Sequence, residues 1–81
     1  MRLRAEFTTE PFTGEGEPPS HATEPLRVAE RAGLDCDFGP FGTTVTGEQA
    51  TLLTALNDVL TAAFDHGATR VTLQVERDGD G

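Results

Sequence analysis

The chain contains no tryptophan, no tyrosine and a single cysteine. Without the largest aromatics, a core must come from leucine, valine, alanine and the five phenylalanines. One thiol, Cys36, excludes an internal disulfide framework and a metal site built from several cysteines. Lysine is missing too: all six basic residues are arginine, against fourteen acidic ones, for a formal net charge of −8. That balance repels a phosphate backbone, so nucleic acid is not an expected partner. A cationic or neutral small molecule is easier to draw in, and the same charge serves plain solubility. No apolar run approaches the roughly 18 residues of a membrane span. The opening MRLRAEFTTE alternates instead of forming the apolar centre of a signal peptide. No membrane partner is expected, and the cytoplasm is the default location.

What is present fits one small domain over residues 1–81, with its ordered core at about residues 2–77. At this length the core is near the lower limit for self-sufficiency, and oligomerisation would bury more surface. Residues 2–9 alternate: Leu3, Ala5 and Phe7 point one way and Arg4, Glu6 and Thr8 the other, as in a half-buried strand. The stretch EPFTGEGEPPS reads as an exposed loop. A helix follows, with Ser20 or Thr23 as cap and a stripe of Leu26, Val28, Ala29 and Ala32. Pro25 fits only a first turn, which places the regular start at about Thr23. Gly33 is a suitable stop, because glycine accepts the left-handed conformation beyond a helix end.

LDCDFG alternates again, with Leu34, Cys36 and Phe38 opposite Asp35 and Asp37, and TTVT gives a third strand centred on Val45. The gap between them is short enough for an antiparallel hairpin. Glu48 to His66 carries the longest helical pattern, with Leu52, Leu53, Leu56, Val59, Leu60, Ala63 and Phe64 on a broad apolar face and Gly67 as the stop. TRVTLQVER closes the chain as a strand with Val71, Leu73 and Val75 on one face. The order β-α-β-β-α-β predicts an α+β ferredoxin-like sandwich, a four-stranded antiparallel sheet with two helices on one face. The uncovered face is then polar throughout: Arg4, Glu6, Thr8, Asp35, Asp37, Thr72, Gln74 and Glu76.

A fold of this kind hosts many functions, so each must be tested at its own site. RNA recognition needs exposed aromatics and basic residues on the open face, and that face has no aromatic. A metallochaperone needs a Cys-x-x-Cys loop after the first strand, which is missing. An acylphosphatase-like enzyme needs an anion-cradling loop with an arginine there; Glu15 and Glu17 stand in that loop instead. Cys36 on the apolar side of a strand reads as a small buried hydrophobe, and His66 as a helix-end residue suited to the dipole. Asp35 and Asp37 read as a solvated strand face. No catalytic constellation, metal set or cofactor motif stands out, so the expectation is a protein that is not an enzyme.

The stretch DFGPFGTTVTGEQ is richer than a hairpin requires. Gly39, Gly42 and Gly47 relax the backbone, Thr43, Thr44 and Thr46 offer hydroxyls, and Phe41 offers a flat apolar surface. On these grounds a structural turn and a polar small-molecule site both stand.

Three segments, AEFTTEPF, AGLDCDFGPFGTTVTGE and GATRVTLQVER, together resemble the thiamine-binding, YkoF-like protein family, over about Arg2 to Arg77. The most specific elements are Gly42-Thr43-Thr44, Gly47-Glu48 and the closing Gly67 to Val71. The resemblance implies a ferredoxin-like fold, assembly as a homodimer or homotetramer, and reversible binding of thiamine or its hydroxymethylpyrimidine half. The expected ligand-binding residues are Thr43, Thr44, Phe41 and Gly42, with Thr8, Glu6 and His21 in second rank. Within a regular strand Thr43 and Thr44 point to opposite faces, so both serve one pocket only if the turn is irregular or a second subunit takes part. Phosphorylated thiamine is disfavoured, since no arginine cluster or glycine-rich helix start offers an anion site. An ACT-like amino-acid-sensing module is the alternative, weakened by the scarcity of arginine near the glycine turn.

Overall fold

The computed structural model describes residues 1–12, 16–39 and 42–79. Its elements follow the expected order: β1 (Arg2–Glu10), α1 (Ser20–Arg31), β2 (Asp35–Gly39), β3 (Gly42–Glu48), α2 (Gln49–Asp65) and β4 (Arg70–Arg77). The four strands form one sheet in the order β2-β3-β1-β4, and every neighbouring pair is antiparallel. This is the ferredoxin-like arrangement. β1, β2 and β4 turn most of their apolar side chains to one face and polar ones to the other, and β3 turns Val45 to that same apolar face, so one sheet face can be covered and the other left to water. Leu3, Ala5, Phe7 and Val45 are buried beneath the helices, together with Ala29, Leu34, Leu52, Ala55, Leu56 and Val59. No helix among the described residues is long and apolar enough to cross a membrane.

The two helix ends show how local sequence fixes the chain path. Gly33 and Gly67 take φ of +84° and +101°, a region that side-chain-bearing residues rarely adopt. At α1, the Gly33 N–H donates to the Glu30 carbonyl and the Leu34 N–H to that of Ala29. At α2, Gly67 donates to Phe64 and Ala68 to Ala63 in the same pattern. Both are Schellman closures, and in each the residue after glycine is buried against the last turn it bonds.

The start of α1 differs from expectation. The helix begins at Ser20, not about Thr23, and Pro19 stands at the cap position without a side-chain cap bond, in place of Ser20 or Thr23. Pro25 therefore lies in the second turn, where its missing N–H leaves the His21 carbonyl without its usual helical donor. The compensation is packing, because the Pro25 ring is among the fully buried side chains. The buried stripe of α1 runs His21, Pro25, Ala29, while Ala32 is exposed at the C-cap. On α2, Leu53 and Phe64 are exposed, one position beyond the buried residues Leu52 and Ala63. A helix resting on a sheet buries one stripe, and the next residue is turned away from it by about 100°.

Two of the three glycines of the hairpin region also act differently from the sequence reading. Neither Gly42 nor Gly47 has a positive φ; both sit in extended strand. What they require is the absence of a side chain. A Cβ on Gly42 would lie 3.0 Å from Thr8 Cγ2 and 3.1 Å from the Phe7 carbonyl oxygen, and one on Gly47 would overlap Leu34 Cδ2. Gly47 therefore makes room for the core leucine, and Gly42 lets β3 lie close against β1.

Candidate functional site

Cross-strand register aligns Phe38, Thr43, Phe7 and Leu73 in a row on the helix-covered face, near one end of the sheet. Thr9 follows two residues after Phe7, hence on that same face. It stands where the alternation of Leu3, Ala5 and Phe7 would place another apolar group. Beyond the strand, Phe12 comes back over this end, and Ala22 in the first turn of α1 approaches it from the helix layer. Between them lies a cleft of about 70 Å³, open on one side and lined by Phe7, Thr8, Thr9, Phe12, Ala22, Phe38, Gly42 and Thr43.

The lining is distinctive in its chemistry. No ionisable side chain contributes to it among the described residues. Two phenylalanines at its mouth are exposed, Phe12 by 69% and Phe38 by 39%. Thr43 is only 3% exposed and lines the cleft floor beside Phe7. Thr9 Oγ1 lies 2.7 Å from Nδ1 of His21, which is 6% exposed, and the buried His21 Nε2 has no hydrogen-bond partner among the described residues. The end of β1 is pinned from the other side, where the Thr69 N–H and hydroxyl both donate to the Glu10 carbonyl at 2.7 and 3.2 Å.

The residues singled out from sequence divide between two faces. Thr43, Gly42 and Thr8 line the cleft, and His21 lies one hydrogen bond behind it. Thr44 is paired with Glu6 and Asp37 in register, which places it on the open face of the sheet. A second, shallow depression of about 80 Å³ on that side is lined by Glu6, Phe7, Thr8, Thr72 and Gln74. Phe41 falls outside the described residues. Sequence reasoning did not single out Thr9, Phe12, Ala22 and Phe38, which line the same cleft. A signal for Thr9 existed, a hydroxyl at a core-facing position of an otherwise apolar alternation.

The open face carries exposed ion pairs. Arg4 pairs with Glu76, its cross-strand partner, and Arg2 reaches Asp35 at 3.3 Å and Asp78 at 3.8 Å. The hydrogen bond and charge of Glu76 raise the Arg4 guanidinium above its ordinary value. Such exposed pairs contribute little to stability and help set register. The Cys36 thiol, half-buried and 3.5 Å from the Leu34 carbonyl oxygen, is raised by burial and then by the nearby charges of Glu30 and Asp35, which keeps it in the unreactive thiol form. Among the described residues, no three His, Cys, Asp or Glu side chains gather as a metal site would require.

Residues 5–79 match the model of a family described as thiamine-binding protein. Several solved structures share the fold. A hypothetical protein of Methanocaldococcus jannascii is 20% identical with a TM-score of 0.71, over 99% of this chain and 84% of its own. A domain of unknown function from Bacillus cereus is 23% identical with a TM-score of 0.65, over 93% and 72%. A protein of Thermotoga maritima, provisionally assigned to thiamine biosynthesis or salvage, is 18% identical with a TM-score of 0.66, over 94% and 81%. No curated protein matches the sequence.

Proposed function

The chain belongs to the thiamine-binding protein family, and from that premise we propose that it binds thiamine through its hydroxymethylpyrimidine half, reversibly and without catalysis, at the cleft beside Thr43. The observation that carries this reading is the pairing of two exposed phenylalanines with the threonines Thr9 and Thr43 in a lining that, among the described residues, carries no charge. An aminopyrimidine is a flat ring with donor and acceptor atoms on its edge. Phenylalanine side chains suit its faces and threonine hydroxyls its edge. The cationic thiazolium would extend toward solvent, where the acidic surface tolerates it.

The same lining weighs against the alternatives. A free amino acid presents a carboxylate and an ammonium, and burying either without a charged partner is costly. A phosphorylated ligand faces the same difficulty. At about 70 Å³ the cleft is well below the several hundred Å³ of pockets that enclose a ligand. A ring seated here would stay partly exposed, with Phe12 and Phe38 as its cover.

Self-association as a homodimer or homotetramer belongs to the same proposal. Supporting it are two edge strands, β2 and β4, each with its outer side unpaired among the described residues, and the exposed apolar side chains Leu53, Phe64 and Val75 on so small a body. Light scattering at micromolar concentration tests it, and a clean 8.6 kDa monomer would count against it. The binding reading is tested by calorimetric titration with hydroxymethylpyrimidine, thiamine, thiamine phosphates and a set of amino acids. The expected order has the pyrimidine and thiamine binding, the phosphates weaker and the amino acids silent. Amino-acid binding, or turnover of any of these compounds, would overturn it.

A further inference from the structure

His21 is the one buried ionisable side chain against the cleft wall among the described residues, and it does not line the cleft itself. Its ring is held at one nitrogen: Nδ1 lies 2.7 Å from Thr9 Oγ1, while Nε2 is buried and, among the described residues, has no partner. A neutral imidazole has one nitrogen with a proton and one without. If Nε2 carried the proton, the structure would hold an orphaned buried N–H, which is rarer in proteins than an under-satisfied acceptor. If Nδ1 carries it, the orphan is only a lone pair, and Nδ1–H donates to the Thr9 hydroxyl oxygen. Thr9 then has its own proton to place. Among the described residues its oxygen has no second partner, and Thr9 lines the cleft.

We propose that His21 sets the hydrogen-bond polarity of the cleft: it holds Thr9 as a donor toward the bound molecule, so the cleft selects a ligand that presents an unprotonated ring nitrogen or a carbonyl oxygen at that point. This rests on the reading that the cleft binds a small molecule and adds which face of that molecule's edge is recognised. His21 is a positioning residue, acting through Thr9. A Thr9 hydroxyl donating to His21 would instead offer the ligand only lone pairs and favour an amino group there. The two tautomers therefore read opposite edges of the same ring.

Two measurements on the full chain test this. Long-range proton–nitrogen correlation spectra of the histidine rings report the tautomer directly, with His66, exposed at the end of α2, as internal reference. The expected result is a neutral Nδ1–H form for His21, and an Nε2–H form overturns the proposal. The second compares hydroxymethylpyrimidine with its two pyridine analogues, each with one ring nitrogen replaced by C–H. In the parent, one replacement should weaken binding about ten-fold or more while the other has a small effect, since only one nitrogen meets the donor. Thr9→Val should bind the pyrimidine and that weaker analogue alike, Thr9→Ser should restore the difference, and His21→Phe should shrink it. Equal binding of all three probes by the parent overturns the polarity rule. A parent that binds none of them overturns the binding function and the selection rule with it. A parent that binds the pyrimidine with His21 in the Nε2–H form overturns the selection rule alone. If His21→Phe does not fold, the tautomer and the Thr9 pair still decide the question.

Discussion

Thr43 and Thr44 are neighbours in sequence, share a chemistry and sit on opposite faces of the sheet, so their valine variants form a sharp test. Thr43 is paired with Phe7 and Phe38 on the helix-covered face and lines the cleft, whereas Thr44 is paired with Glu6 and Asp37 on the open face. Valine keeps the shape of threonine and replaces the hydroxyl with a methyl. Thr43→Val would leave a ligand polar atom facing that methyl in a water-poor setting, at a cost of about 1–3 kcal/mol. At 1.4 kcal/mol per ten-fold, affinity for hydroxymethylpyrimidine should fall about five- to 140-fold. Thr44→Val should bind like the parent. Calorimetry measures both affinities, and urea midpoints near that of the parent confirm that the fold is intact. Equal losses in the two variants, or a loss confined to Thr44→Val, would refute the assignment of the ligand to the helix side of the sheet.

Leu56→Ala removes a buried side chain from the centre of α2 and should cost about 2–5 kcal/mol in urea unfolding, with a value below 1 showing that α2 does not pack as described. Gly47→Ala places a methyl onto Leu34 in the core and should cost about 1–3 kcal/mol, less if the leucine can turn aside; an unchanged midpoint would mean that the two elements are further apart than the structure has them. Cys36 holds its proton more tightly in the folded chain than in the unfolded one. The stability this provides is fully present below the ordinary thiol value and is lost as pH rises through the raised folded value. Alkylation of the native chain at mildly alkaline pH should accordingly be slower than of the urea-unfolded chain, and equal rates would contradict the burial of Cys36.

Most of the architecture is legible because its determinants are local. Period-two alternation in β1 and β4, the apolar stripe of α2 and the glycines after both helices each act within a few residues. The start of α1 was not legible, since Pro25 lies in a second turn with its ring fully buried, and burial of that kind is not a local property of the sequence. Leu53 and Phe64 belong to the helical apolar pattern, and only the way α2 rests on the sheet leaves them in solvent. The glycines show the same limit from another side. Their density suggested backbone freedom, but Gly42 and Gly47 answer to side chains from β1 and the α1–β2 junction. The candidate site was half visible: Thr43 and Gly42 stand in a noticeable stretch, while Phe12 lies in a loop whose path no periodicity specifies. Thr9 and His21 meet across a separation of 12 residues, which a reading of local pattern cannot join.

A flat, neutral aminopyrimidine seated at the sheet end between the phenylalanines, as proposed, would mark that end when the ¹⁵N-labelled chain is titrated with hydroxymethylpyrimidine and each backbone amide is followed. The expected result is a saturating set of shifts centred on Thr9, Phe12, Ala22, Phe38, Gly42 and Thr43, with little change at Glu6, Thr44, Thr72 and Gln74 across the sheet. Shifts centred on that second group, or a spectrum unchanged at saturating pyrimidine, would contradict it.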